Sequence, residues 1–438
     1  MVRKPTKIAE NIKEKHMANN NVKSFLTILD KRPIVIWGAR MTGVGLLRFA
    51  KKHNLRVVGF IDSDASFDGT SVYNLPVTQP NSLSSLRAKY KNLLVVVAVS
   101  AKEDEIIDSL KKIGMGPNDY INYKEFCGSF FTIDISGMCN LKCPSCASSL
   151  SSICPPKGFM SMDDFKNIIK KIVKEAGIVS HICLYNWGEP LLHPQLDLFI
   201  DYVHQMGIAA IVSTNLSISS VEQLYKLVKS SPDTLRISLS GYYPNIYNTT
   251  HTGGDINLVK SNMYRIKYYM EKCSSSFPVE VNYHLYKNNI GTDLTKMKEL
   301  CRELGFIFST SYANITPVER VIEYYEGRID EKTKEVLKLL LVSIDKAMEI
   351  TKPFRALPCR LQSNQVNINW DRSVLLCCAS YDRRKSIISD DFLQDSLEKI
   401  NMRKKNHDLC TTCRRYGIHQ YILEINRKEW EKEANKQR

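Results

Sequence analysis

The chain has 438 residues, 43% of them hydrophobic and 24% charged, and a formal net charge of +15. That length calls for two to four domains of soluble globular protein. No apolar run reaches the roughly 18 to 20 residues a spanning helix needs, and the charged N-terminus lacks an apolar signal core. A cytoplasmic protein without a membrane partner is therefore expected.

Residues 1–30 read as a charged leader. "PIVIWGA" (33–39) reads as a buried strand entering a glycine turn, "TGVGLLRFAKKH" as a helix, and "RVVGFID" (56–62) and "NLLVVVAVS" as further strands. A helix through "EDEIIDSLKKIG" then stops at Gly114. Strand, helix and strand at this rhythm predict a small parallel α/β domain over 31–125. Its turn "WGARMTG" matches a dinucleotide fingerprint at Gly38 and Gly43, but Arg40 replaces the middle glycine. Asp62 stands near the ribose-binding position. Ligand binding and a degenerate docking role both stay open, and Arg40 could meet a phosphate directly.

A second series starts at "FFTIDIS" (130–136). The helix "SMDDFKNIIKKIVKEAG" carries a capping pattern at Ser161 and Asp164, an apolar stripe from Phe165 to Val173, and a stop at Gly177. Strands recur at "HICLYN", "IAAIVST", "TLRISLS", "VEVNYHL" and "FIFSTSY", with helices between them. Six strands alternating with five helices predict a partial (β/α)6 barrel over 126–316. Residues 317–355 read as a linker of long helical segments. A cysteine-bearing region with a basic tail, 356–438, opens with a hairpin turning at "WDR". The basic runs 383–385 and 403–405 read as solvated faces or tails.

The 13 cysteines lie in a reducing compartment on this reading, where clustered cysteines bind metal more often than they pair. Cys127, Cys183, Cys273 and Cys301 are scattered and read as buried thiols. Cys139, Cys143 and Cys146 follow the first barrel strand, and three thiols leave one corner of a metal site open. The active site of a parallel barrel lies at the carboxyl ends of its strands. There the sequence also places "NWGEP" (186–190), "STN" (213–215), Ser238, Ser240, Asn282 and His284.

The Cys139-x3-Cys143-x2-Cys146 pattern with downstream "GEP" and "STN" resembles the radical S-adenosylmethionine (SAM) superfamily. The resemblance implies that the three cysteines hold a 4Fe–4S cluster whose fourth iron binds SAM. It implies that Gly188 and Glu189 contact the methionyl amino group, Asn215 lies near the carboxylate, and Ser238 or Ser240 near the ribose. Two departures stand out: Trp187 replaces the usual first glycine of "GGEP", and Ser145 replaces the aromatic before the third cysteine. Cys359, Cys377, Cys410 and Cys413 resemble the ligands of a SPASM or twitch extension, which implies one auxiliary 4Fe–4S cluster. Cys378 could replace Cys377, or return a hydrogen atom to substrate.

The resemblance implies an enzyme that cleaves SAM reductively and oxidises or epimerises a substrate. The Rossmann-like first domain resembles domains attached to sugar-modifying enzymes. With the basic balance, it points to a sugar, nucleotide-sugar or related metabolite, with flavodoxin or ferredoxin as electron donor. Maturation of a ribosomally made peptide is the runner-up. A structural zinc at either cysteine group, and a non-catalytic metal regulator acting on nucleic acid, are the rival readings.

Overall fold

The computed structural model describes residues 21–100, 102–147 and 155–437. Most of the predicted leader (1–20) lies outside them. Its end does not behave as a leader: 21–29 is helical, and Phe25 and Leu29 are buried in the core of the first unit. Phe25 stacks on Phe126 with ring centroids 4.7 Å apart.

The first unit is built on β1 (Ile34–Trp37), β2 (Val57–Ile61), β3 (Ser71–Val72), β4 (Leu75–Thr78), β5 (Leu94–Val97) and β6 (Tyr120–Asn122). Their spatial order is β3-β4-β2-β1-β5-β6, parallel except for the β3–β4 hairpin. Alternate residues feed two cores. Ile34, Ile36, Leu94 and Val96 face one side; Val35, Trp37, Val95 and Val97 face the other. Both faces are covered, which is why these strands read as continuous apolar runs. The β3–β4 hairpin turns on Tyr73 and Asn74, both with positive φ.

The second sheet orders as β12-β11-β10-β9-β8-β7-β13-β14-β15. Strands β7 (Phe130–Asp134), β8 (His181–Cys183), β9 (Ala209–Thr214), β10 (Thr234–Leu239), β11 (Val279–Leu285) and β12 (Ile307–Tyr312) are parallel neighbours in chain order. That is the mixed α/β arrangement expected of a partial barrel. Helix Met162–Ala176 begins where the sequence indicates: Ser161 Oγ accepts from the Asp164 N–H at 3.1 Å, and Gly177 ends it at φ +71°.

One expectation needs correction, and another is extended. Residues 317–355 form no long helices but three short α-helices, Val318–Tyr325, Glu331–Leu339 and Ile344–Thr351. Gly327, at φ +69°, breaks the first junction, and Leu340 pairs with Tyr286 at the second. The hairpin of β13 (Gln365–Asn369) and β14 (Val374–Leu375) is also more than a local turn. β13 runs parallel to β7 along its whole length and carries β14 and β15 (Ile387–Ser389) into the barrel sheet.

The first unit packs under the amino ends of the barrel strands. Arg48 Nε and His204 Nε2 each reach the buried carboxylate of Asp233 at 2.8 Å. Gly45 is needed at this interface, because a Cβ there would lie 1.9 Å from the Ser180 carbonyl oxygen. Arg40, at the tip of the glycine turn, lies 3.3 Å from Glu280 at the foot of β11, which also pairs with Arg236 at 3.4 Å. Burial pushes the Glu280 carboxyl up, but the two guanidinium groups overcome this and hold it at about 2. Asp62 is engaged inside the unit, accepting the Ala39 and Asp64 N–H groups at 2.9 Å each.

Candidate functional site

β7 ends in Asp134, whose buried carboxylate accepts the Trp187 N–H at 3.0 Å and the Gly188 N–H at 3.3 Å. This fixes the turn after β8 against the start of the cysteine loop. Burial pushes the Asp134 carboxyl up to about 7, against the pull of those backbone donors. Gly188 is dictated by close approach: a Cβ there would sit 1.5 Å from the Ser136 carbonyl oxygen. Glu189 continues the lock. Its Oε1 accepts from the Leu191 N–H at 2.9 Å and the Thr214 hydroxyl at 2.6 Å, and its Oε2 from the Asn215 N–H at 2.8 Å. Burial again raises this carboxyl, to about 7.

The loop 137–147 is held from several strands. Asn215 Nδ2 donates to Cys139 Sγ at 3.8 Å and to Asn140 Oδ1 at 2.9 Å. Asn140 in turn donates to the Ser217 carbonyl at 2.6 Å. From the other side Tyr286, just beyond β11, donates its hydroxyl to Ser145 Oγ at 3.0 Å. The Thr316 hydroxyl and the Arg320 guanidinium bond the carbonyls of Ser145 and Pro144, each at 2.9 Å. An aromatic ring therefore meets the position where the sequence lacks one, but from a different strand. Burial pushes the Cys139 thiol up to about 12 and raises Cys143 as well.

These residues open on a cavity of about 450 Å³ at the carboxyl ends of the strands. Cys139, Cys143, Cys146, Gly188, Glu189, Asn215 and Ser238 line it, as do His251 and His284. That volume lies within the range of small-molecule sites, roughly 300 to 1,000 Å³. Ser240 is not in the lining; it bonds His251 Nδ1 at 2.9 Å and the Thr250 hydroxyl instead. Asn282 donates to Ser309 Oγ at 3.1 Å and accepts from the Ser311 hydroxyl at 3.0 Å, inside the barrel.

The cysteines suit a group that accepts thiolate ligands and needs one open position. One further observation fits an occupant. Among the described residues, Arg320 Nη2 and the Tyr247 hydroxyl are buried beside this loop without a hydrogen-bond partner.

The other cysteine group also comes together. Cys359, Cys377, Cys410 and Cys413 line one predominantly apolar cavity, although Cys359 and Cys413 lie 54 positions apart in the sequence. Cys378 lines neither cavity and is turned towards Gln365, whose Oε1 accepts its N–H at 3.3 Å. Lys404 overturns the reading of 403–405 as a solvated run, being 1% exposed. In the run 383–385, Arg383 is likewise engaged, with Asp371 at 2.5 Å.

Asp134, Tyr286, Arg320, His251 and Lys404 were not singled out by sequence. Only Asp134 carried a signal, as a carboxylate closing an apolar strand. No helix of the described residues is long and apolar enough to cross a membrane.

Residues 133–282 match the Radical SAM superfamily. A curated relative, the AdoMet-dependent heme synthase of Methanosarcina barkeri, is 26% identical over 175 residues, 40% of this chain. The match spans about half of that relative, 47% of its length. Among solved structures, Streptococcus suis SuiB bound to precursor peptide SuiA aligns over 78% of this chain and 74% of its own, at 15% identity and a TM-score of 0.45. Native anSMEcpe with bound AdoMet covers 64% of this chain and 82% of its own, at 16% identity and a TM-score of 0.42. The cysteine loop and the carboxyl ends of β7 to β10 fall in the matched segment: residues 133–282 form a Radical SAM superfamily domain.

Proposed function

We propose that this chain is a radical SAM enzyme acting on an anionic small molecule. One observation carries the reading: Cys139, Cys143 and Cys146 share a cavity at the strand ends with Gly188, Asn215 and Ser238, and among the described residues no fourth cysteine lines it. Cys139, Cys143 and Cys146 would hold a 4Fe–4S cluster that, with SAM bound, would supply reductive cleavage of a SAM C–S bond and hydrogen-atom abstraction from substrate.

The chain's own residues do the rest. Cys139, Cys143 and Cys146 hold the cluster, and Asn215 orients Cys139 through its amide. Gly188 lets the backbone come close, with its neighbours presented to the methionyl end of SAM. Glu189 acts as a positioning residue, because both of its oxygens are taken by protein donors. Ser238 faces the ribose. Ser240, bonded to His251, supports that wall from behind.

Cys359, Cys377, Cys410 and Cys413 are assigned to one auxiliary 4Fe–4S cluster in a SPASM- or twitch-type extension. Cys378 receives no role in this reading. The Rossmann-like first domain is assigned to docking rather than nucleotide binding. Its fingerprint residues Arg40 and Asp62 are spent on Glu280 and on the unit's own backbone. An electron carrier such as flavodoxin or ferredoxin reduces the first cluster.

A second cavity, of about 280 Å³, adjoins the first at Cys139, Trp187 and Gly188. Lys142, Lys157 and Arg383 line it together with the rings of Trp187, Trp370 and Tyr381. Cations beside flat rings suit an anionic substrate with a planar or apolar part, which favours a nucleotide-linked sugar over a peptide. The test is anaerobic reconstitution with iron and sulfide, then SAM and a strong reductant, with 5′-deoxyadenosine quantified and Cys143→Ala as control. Product from the parent alone is expected. Sugar nucleotides, a haem precursor and peptides are then compared for hydrogen transfer into that product. Transfer from peptides alone would replace the substrate assignment, and well-loaded parent protein silent with every pool would sink the enzymatic reading.

A further inference from the structure

Lys404 sits near the end of helix Leu397–Lys405, 1% exposed, against Leu361 and Gln362, which follow Cys359 and line the cavity of the second cysteine group. Its ammonium donates to the carbonyl of Leu361 at 3.4 Å and to that of Gln365. Its own carbonyl accepts from Gln362 Nε2 at 2.8 Å, so it is anchored to the helix Arg360–Asn364 that follows Cys359. None of the ion pairs among the described residues involves it. Burying an ammonium costs several kcal/mol unless negative charge compensates. Two carbonyls compensate only in part. Burial pulls the Lys404 ammonium's pKa down, and the sulfurs of Cys377, Cys410, Cys359 and Cys378 oppose that pull.

Neutral thiols would give this cation nothing to pair with. A cluster held by four thiolates carries net negative charge, and one added electron increases it. A fixed cation in a low-dielectric pocket favours whichever state is more negative. We propose that Lys404 is the buried counter-charge of the auxiliary cluster, raising its potential so that it serves as an electron acceptor. The inference rests on the assignment of an auxiliary cluster at Cys359, Cys377, Cys410 and Cys413. The step it concerns is uptake of one electron by that cluster, supplied in the test by dithionite.

The test uses the full chain with Cys139, Cys143 and Cys146 all replaced by Ala, so that only the second group can load. Roughly four irons per chain are expected, as one 4Fe–4S cluster requires. An iron-free protein would refute the auxiliary assignment itself, before Lys404 is touched. With iron present, Lys404→Met is added and the cluster is titrated with dithionite under EPR. Its reduced-to-oxidised ratio at a fixed potential should fall tenfold or more, equivalent to about 59 mV per tenfold for one electron. Lys404→Arg, which keeps the charge, should stay near the parent. A Lys404→Met protein that loads fully with an unmoved potential would overturn the proposal. If Met and Gln variants fold by circular dichroism but fail to load while Arg loads, the charge requirement stands. If all three fail to load, the lysine acts through packing and the proposal is wrong.

Discussion

The lock formed by Glu189 offers the sharpest test of how the site is held. Glu189 is 2% exposed, and its two oxygens accept three donors: the Leu191 N–H, the Thr214 hydroxyl and the Asn215 N–H. Glu189→Gln keeps the shape and two of the three bonds. Whichever way the amide turns, its NH2 faces one backbone N–H and leaves it unpaired. A buried donor without a partner costs about 1 to 3 kcal/mol. Glu189→Ala strands all three donors and opens a cavity, so it should cost about 3 kcal/mol or more. Urea unfolding followed by tryptophan fluorescence reads the effect, since Trp187 lies two residues away. SAM affinity measured alongside should weaken in the same order, parent, Gln, Ala, because Asn215 loses its anchor. An Ala variant within 0.5 kcal/mol of the parent would show that these bonds do not hold the site. Equal stability of Gln and parent with lost SAM affinity would instead assign Glu189 to direct contact.

Burial pushes His181 down to about 3, so in the folded chain it stays neutral where an unfolded histidine takes up a proton near 6.5. Its contribution is fully present above about pH 6.5 and is lost as pH falls towards 3, at up to about 1.4 kcal/mol per pH unit. His181→Phe, stacking on Phe130 as the imidazole does at 5.0 Å, should flatten the fall in urea midpoint between pH 7 and 5. Taking the difference from the parent isolates it from Asp134 and Glu189, whose raised carboxyls act in the opposite sense; an unchanged slope would refute the assignment. At the second cysteine group, Cys377→Ser should lower iron content by one cluster while Cys378→Ser leaves it intact. The reverse pattern would exchange their roles.

Much of the architecture was legible because it is written locally. The apolar runs of β1 and β5, the helix from Ser161 to Gly177 and the six barrel strands follow from periodicity, caps and glycine stops that act within a few residues. The short strands β3, β4 and β6 escaped because two to four residues carry too little pattern. The helix over 21–29 escaped because Phe25 and Leu29 reveal their purpose only against Tyr123 and Phe126, about a hundred residues on.

The cysteine spacing by itself marked residues 139–146 as a metal-binding candidate with an open position, since three thiols in eight residues suit that use. Only the tertiary structure decided what surrounds it. Tyr286 and Arg320 reach the loop from more than 140 residues away, and Cys377 but not Cys378 lines the cavity shared by Cys359, Cys410 and Cys413. Lys404 makes the same point about charge. In sequence it is one of three consecutive cations, indistinguishable from its neighbours. Whether it meets water or the cysteine pocket depends on which face of a helix β13 and the Cys359 segment happen to cover, and that is fixed by chain segments remote from it.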